Sequence, residues 1–160
     1  MAASTTKRAL IRRFDKETLA GYVNPLSYLQ PTCIEVLSAD GKVASVPYDE
    51  VRTISFVRNF QAGGEAERQV FFTRPKMEGL WVSFLFRDGE ILQGVMPNNL
   101  LQVEPHGFTV IPPDSFGNVQ RVFVPRAAVQ SVEVLGVVGS PLNRRKGKTP
   151  PKDQIGLFDQ

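Results

Sequence analysis

The sequence predicts an all-β protein: two tandem copies of a small five-stranded barrel packed together, followed by a disordered C-terminal tail. Three observations predict it. A set of short motifs occurs twice in the same order, the apolar residues fall in short β-rich runs separated by turn signals, and the composition changes abruptly from Gly139 onward.

The duplication comes first, because a repeat governs the architecture of everything inside it. Asp15-Lys16-Glu17-Thr18-Leu19-Ala20-Gly21-Tyr22 aligns with Asp88-Gly89-Glu90-Ile91-Leu92-Gln93-Gly94-Val95. Ile34-Glu35-Val36-Leu37 aligns with Phe108-Thr109-Val110-Ile111, and Gly41-Lys42-Val43 with Gly117-Asn118-Val119. The stretch from Val46 to Phe56 then aligns with that from Val124 to Val134, and the offset drifts only from 73 to 78 residues. This divides the chain into a disordered start (1–6), a first barrel (7–57), a linker (58–77), a second barrel (78–138) and a tail (139–160).

Within the second unit, Trp81 to Phe86 is a β-rich run that ends at Arg87-Asp88-Gly89, a hairpin signal. Ile91 to Met96 returns, with Gly94 inside it. A glycine there marks a sharp bend or a close backbone approach, as a small barrel needs. Phe108 to Ile111, Val119 to Val124 and Val129 to Val134 supply three more strands. Trp81, Phe84 and Phe86 place at least one face of the first strand in the core. Pro47 and Pro125 stand at strand ends, where a missing N–H does least harm. In the linker, Val70-Phe71-Phe72-Thr73 is expected to add a strand, because two adjacent phenylalanines are costly to leave in water. No segment carries a helical apolar period. A unit of about 60 residues buries only roughly 60% of its unfolded surface. The two units are therefore expected to lean on each other.

Apolar content of 42% and charged content of 22% describe a soluble globular protein. No apolar run is long enough to span a membrane. The start lacks the apolar core of a secretory signal, and the single cysteine, Cys33, forms no internal disulfide. A cytoplasmic location is expected. The tail holds Arg144, Arg145, Lys146, Lys148 and Lys152 against Asp153 and Asp159, which accounts for the whole formal net charge of +3. The body is balanced, and a broad nucleic-acid footprint is not expected of it. A local basic cluster remains at Lys7, Arg8, Arg12 and Arg13.

No catalytic residue, cofactor or metal site is expected. The pairs Asp15/Glu17 and Asp88/Glu90 flank hairpin turns, where carboxyls stay hydrated, whereas acid–base work needs one desolvated. His106 reads as a surface-loop histidine and Cys33 as a structural thiol. Phosphate-loop and nucleophile-elbow motifs do not occur. The protein is expected to be non-enzymatic.

The second unit resembles the Sm/Hfq-like barrel. The likeness rests on the apolar strand, Asp-Gly turn and glycine-bent strand from Phe86 to Gly94, and on the V-x-x-x-A-V-x-x-V run from Val124 to Val132. The first unit matches more loosely, and a generic SH3-like barrel shares most of these motifs. That family grips RNA through polar and basic residues between its last two strands. Here those positions read Pro47-Tyr48-Asp49-Glu50, which is acidic, and Pro125-Arg126-Ala127-Ala128, which is nearly bare. Arg8-Ala9-Leu10-Ile11-Arg12 resembles the R-x-x-x-R element of PilZ-type cyclic-di-GMP receptors, implying anion or nucleotide binding by Arg8 and Arg12, with Arg13 beside them. The D/N-x-S-x-x-G partner element is missing: Asn24-Pro25-Leu26-Ser27 is followed by Tyr28-Leu29-Gln30.

Residues 139–153 have too little apolar content to offset the entropy of ordering them, and they are expected to be disordered. As a coil they span on the order of 20 Å. Gln154-Ile155-Gly156-Leu157-Phe158 follows, and resembles the sliding-clamp-binding peptide Q-[L/I]-x-L-F of bacterial DNA polymerases and repair proteins. The resemblance implies that Gln154 enters a polar pocket of the clamp, Ile155 packs on its rim, and Leu157 with Phe158 fills the apolar pocket. The other reading folds the same residues onto the protein's own barrel as an edge strand. The sequence thus supports a non-enzymatic adaptor docking on a protein partner through its tail. The alternative is a cyclic-dinucleotide or RNA-binding module, and oligomeric state stays open.

Overall fold

Among the described residues ten strands form where the alternating runs lie: β1 (Lys7–Arg13), β2 (Thr18–Val23), β3 (Cys33–Leu37), β4 (Val43–Pro47), β5 (Val51–Val57), β6 (Gly79–Phe86), β7 (Ile91–Met96), β8 (Gly107–Val110), β9 (Val119–Pro125) and β10 (Val129–Val138). These come from a computed structural model that describes residues 6–62, 68–113, 115 and 117–139. The tail, with its peptide Gln154, Ile155, Leu157 and Phe158, lies outside the described residues, as do residues 1–5.

β1 pairs with β2 in the same register as β6 with β7: Ala9 faces Gly21, and Val82 faces Gly94. β1 pairs with β5 as β6 does with β10, with Ile11 facing Ile54 and Phe84 facing Val132. Both pairs carry a bulge where the last strand begins, leaving out Arg52 in one and Gln130 in the other. That extra residue accounts for the interrupted alternation Val51, Ile54, Phe56 and Val129, Val132, Val134, since a bulge shifts the side-chain parity by one. A 3-10 turn enters each last strand, Tyr48–Glu50 after Pro47 and Arg126–Ala128 after Pro125. Tyr22 meets Leu37, and Val95 meets Ile111.

Neither half closes into a separate barrel. β9 takes the second edge of β5, with Ile54 opposite Phe123 and Phe56 opposite Arg121. A seven-stranded sheet of order β4-β3-β2-β1-β5-β9-β8 therefore runs through both halves, beside a three-stranded sheet β10-β6-β7. With β1 on one side and β9 on the other, β5 has no edge left for β4 to close on. The expected mutual support takes this form. Phe123 of β9 sits fully buried among Ile11, Ile34, Val36 and Ile54 of the first half. Leu10 and Val57 of the first half pack with Phe84, Phe86, Val110 and Val124 of the second.

One expectation for the linker is corrected. Val70-Phe71-Phe72-Thr73 is not a strand. The Gln93 side chain accepts the Phe71 amide at 3.0 Å, Phe71 meets Trp81 edge-on, and Phe72 is 75% exposed under the Arg68 guanidinium. The segment is a strut held by side chains, so nothing gives it a ladder. Phe84 and Phe86 place one face of β6 in the core, as expected, and Trp81 lies on the other. Its odd position puts it on the opposite face, half-buried, with its indole N–H donating to Gln93.

The two hairpin turns differ in one costly way. Lys16 and Gly89 occupy equivalent positions, donating to Arg13 and Phe86 carbonyls at 3.0 and 2.9 Å, with φ of 74° and 93°. A side chain in that left-handed region is strained. Lys16→Gly is expected to raise stability by about 0.5–1 kcal/mol in urea unfolding. An unchanged or lower midpoint would count against the strain.

Candidate functional site

The antiparallel order β1-β5-β9 brings the start of β1, the end of β5 and the start of β9 to one end of the large sheet. A pocket of about 450 Å³ opens there, lined by Lys7, Pro25, Tyr28, Phe56, Glu104, Thr109, Gln120 and Arg121. A second of about 450 Å³ shares Lys7, Phe56 and Gln120 with it and adds Arg8, Tyr22 and Arg58. The two pockets of this seam cleft adjoin at Lys7, Phe56 and Gln120, with Arg8 and Tyr22 on the opposite face of the sheet from Phe56 and Arg121. Lys7 and Arg121 line the first with one carboxyl, Glu104, and Arg8 and Arg58 line the second with Lys7.

The walls are held in place. Arg8 Nη1 donates to the Arg58 carbonyl at 3.2 Å, and Arg58 Nε donates to the Gly117 carbonyl at 3.2 Å. Tyr28 is buried and meets Phe56 and Phe123 edge-on at 5.8 and 6.0 Å, while Tyr22 meets Phe60 at 5.5 Å. Such edge-to-face pairs fix ring orientation. Burial pushes the Tyr28 hydroxyl well up, helped by the Glu104 charge and opposed by a hydrogen bond with Thr109. Burial likewise raises the Glu104 carboxyl, against the opposing influence of His106. The cleft thus pairs a desolvated carboxyl with basic side chains and half-buried rings. That chemistry suits binding a group with both phosphate and hydrogen-bond donors.

Of the basic residues singled out in the sequence, Lys7 and Arg8 line the cleft, and Arg12 and Arg13 do not. Arg13 Nη2 is paired with Glu50 at 2.8 Å. Arg12 sits at the other end of β1: burial and then the charge of Arg52 lower its guanidinium, while Glu90 and Asp88 act the other way. The structure does not bring Arg8, Arg12 and Arg13 together into one grip. Asp15 and Asp88 each cap their own turn, accepting the amides of Glu17 and Glu90 at 2.9 and 3.1 Å. Asp88 and Glu90 also receive Arg52. His106 is not a free loop residue, since it stacks on Tyr48 of the other half at 4.8 Å. The Tyr48 hydroxyl, pushed up to about 12 chiefly by burial, donates to the Gln30 carbonyl at 2.6 Å. Cys33 is a half-buried free thiol.

Among the described residues no group of three or more His, Cys, Asp or Glu could hold a metal ion. No helix of the described residues is long and apolar enough to cross a membrane. The chain matches the family of unknown function DUF6982 over residues 5–136. It belongs to that family. No curated protein and no solved structure matches it significantly.

Arg58, Glu104 and Arg121 escaped the sequence reading. Arg121 stands in β9 among Val119, Val122 and Phe123, which read as core, and nothing local marks it. Glu104 and Arg58 lie in connecting segments and carry no signal either.

Proposed function

We propose that this protein is a non-enzymatic adaptor. In this reading it is a pair of Sm-like five-strand units fused into one body, whose C-terminal peptide docks on a protein partner, the bacterial sliding clamp. The observation that carries it is the sequence beyond Gly139, where three large apolar residues at 155, 157 and 158 follow a long polar, basic tether. The carboxylates of Asp15, Asp88 and Glu90 in the repeated turns support the non-enzymatic part, because they are committed to capping and to Arg52. A tether of this length lets the body sit away from the docked peptide. Capture of the full chain on immobilised clamp is the test. The double variant Leu157→Ala, Phe158→Ala is expected to weaken retention about tenfold or more. Equal retention of wild type and variant would end the clamp reading.

One observation favours a second reading, in which the cleft binds single-stranded RNA. Lys7, Arg8, Arg58 and Arg121 line two adjoining pockets beside the half-buried rings of Tyr22 and Phe56. Phosphate contacts there would make binding salt-dependent, with a slope of about −0.7 per contact for a single strand. Lys7→Ala with Arg121→Ala is expected to weaken binding of a labelled oligonucleotide roughly tenfold and to flatten the salt slope by about one. Binding that ignores both substitutions would remove the cleft from consideration.

A further inference from the structure

We infer that the first pocket of the seam binds a small phosphorylated amine, its phosphate held by Lys7 and Arg121 and its ammonium by Glu104. The inference is independent of the tail and concerns this pocket alone. Three adjacent strands build the floor. Phe56 of β5 stands opposite Ala9 of β1 on one side and Arg121 of β9 on the other. Lys7 comes two residues before Ala9 and so faces the same way as Phe56. The half-buried phenylalanine therefore stands between two exposed cations. Thr109 extends the same face onto β8, opposite Phe123, and its side chain is hydrogen-bonded to the buried Tyr28 hydroxyl. Pro25 and Glu104 complete the lining from the segments before β3 and β8.

These charges differ from the others in having no partner within the protein. Arg13 pairs with Glu50, and Arg52 pairs with both Asp88 and Glu90. Lys7, Arg121 and Glu104 line one pocket, yet among the described residues they make no salt bridge with each other or with any other group. Burial raises the Glu104 carboxyl, because losing water disfavours its charged form. A cationic group placed beside it would offset that loss.

The balance of charge selects the ligand. Bare phosphate would satisfy the cations but leave a carboxylate of its own sign beside it. A simple amine would meet two like charges, and an amino acid would leave one cation unmatched. A phosphomonoester dianion carrying one ammonium matches two cations and one carboxylate charge for charge, with charge-assisted hydrogen bonds at both ends. The volume of about 450 Å³ lies in the lower part of the roughly 300–1,000 Å³ typical of small-molecule sites. That leaves room for a planar or apolar body between the charged ends, over Phe56 and against Pro25.

Calorimetric titration of the full chain with three probes tests this. Tyramine O-phosphate carries phosphate, ring and ammonium, phenyl phosphate lacks the ammonium, and tyramine lacks the phosphate. Tyramine O-phosphate is expected to bind about tenfold tighter than either of the others, as one added charge-assisted contact gives. Glu104→Gln is expected to erase its advantage over phenyl phosphate. Arg121→Gln is expected to weaken both phosphate probes about tenfold, and Lys7→Gln, at an exposed position on another strand, repeats that arm if the first variant melts early. Equal binding of tyramine O-phosphate and phenyl phosphate to the wild type would reduce the pocket to an anion site and overturn the inference. A Glu104→Gln protein that keeps the full preference would overturn it too. So would tyramine O-phosphate that fails to bind at millimolar concentration, and a labelled oligonucleotide that binds in its place would give the pocket to RNA. Retention on the clamp depends on the tail, so none of these results bears on that reading.

Discussion

Gly21→Ala and Gly94→Ala are each expected to cost about 2–4 kcal/mol, lowering the thermal midpoint by on the order of 10 °C in a chain of this size. Both glycines sit in the second strand of their half, where the third strand crosses close above. A Cβ at Gly21 would lie 2.5 Å from Val36 Cγ1 and 2.8 Å from the Leu37 carbonyl oxygen. At Gly94 it would lie 2.6 Å from Val110 Cγ2, 2.8 Å from Val110 Cβ and 3.2 Å from the Ile111 carbonyl oxygen. The obstacles at Gly21 include backbone, so relief there means moving β3 as a whole. At Gly94 it means displacing Val110, which is 1% exposed in the packed core. Neither shift is small, because interiors at crystal-like density have no slack to take up a methyl group. Gly41→Asn is the control. It has φ of 88° but open space around it, so only the milder backbone penalty applies. Circular dichroism melts of the three variants check the ranking. A Gly21→Ala midpoint at or above that of Gly41→Asn would mean that the close approach is not what holds the second strand.

Those glycines also show how much of the fold the sequence disclosed. Gly21 and Gly94 align in the repeat and interrupt apolar runs, which suffices to predict a close crossing. The strand ends at Pro47 and Pro125 were legible for the same reason, since each is a local rule written in adjacent residues; the bulges before Thr53 and Ser131 were not read in the sequence. What the sequence did not disclose is where β5 finds its second neighbour. Closure on β4 and pairing with β9 satisfy the same alternation and the same turns. The choice rests on Phe123 fitting among Ile11, Ile34 and Ile54, a contact between residues far apart in the chain. The cleft was hidden by the same fact. It exists only because β9 lies beside β5, so Arg121 and Phe56 become neighbours across a junction that no local pattern encodes. The predicted strand at residues 70–73 failed differently. Apolar content alone suggested it, while the Gln93 side chain took the Phe71 amide that a ladder would have used.

Arg52→Ala is expected to destabilise the protein by about 2–3 kcal/mol, because this one side chain ties the bulge of β5 to the turn of the other half. Its Nε donates to Asp88 Oδ2 at 3.0 Å, its Nη2 to Glu90 Oε1 at 2.9 Å, and its guanidinium lies 4.4 Å from the Phe86 ring centre. The arginine side chain is 11% exposed, but the carboxylates are 37% and 74% exposed, and water can take them back when the cation is gone. That keeps the loss below the roughly 3–5 kcal/mol seen when a fully buried pair is broken. Arg52→Met should lose less, since its thioether can still cover Phe86. The effect should depend on pH in a stated direction. Burial works to raise the Asp88 carboxyl, but the Glu90 amide and the hydrogen bond and charge of Arg52 outweigh it and hold it below its ordinary value. A group depressed on folding stabilises above its unfolded range, and the contribution disappears as pH falls through the lowered folded value. The gap between wild type and Arg52→Ala should therefore be widest near neutral pH and narrow in acid, leaving the part due to Phe86. Urea midpoints for both proteins across that range measure it. A gap that stays constant into acid would assign the role of Arg52 to packing on Phe86 rather than to the Asp88 pair.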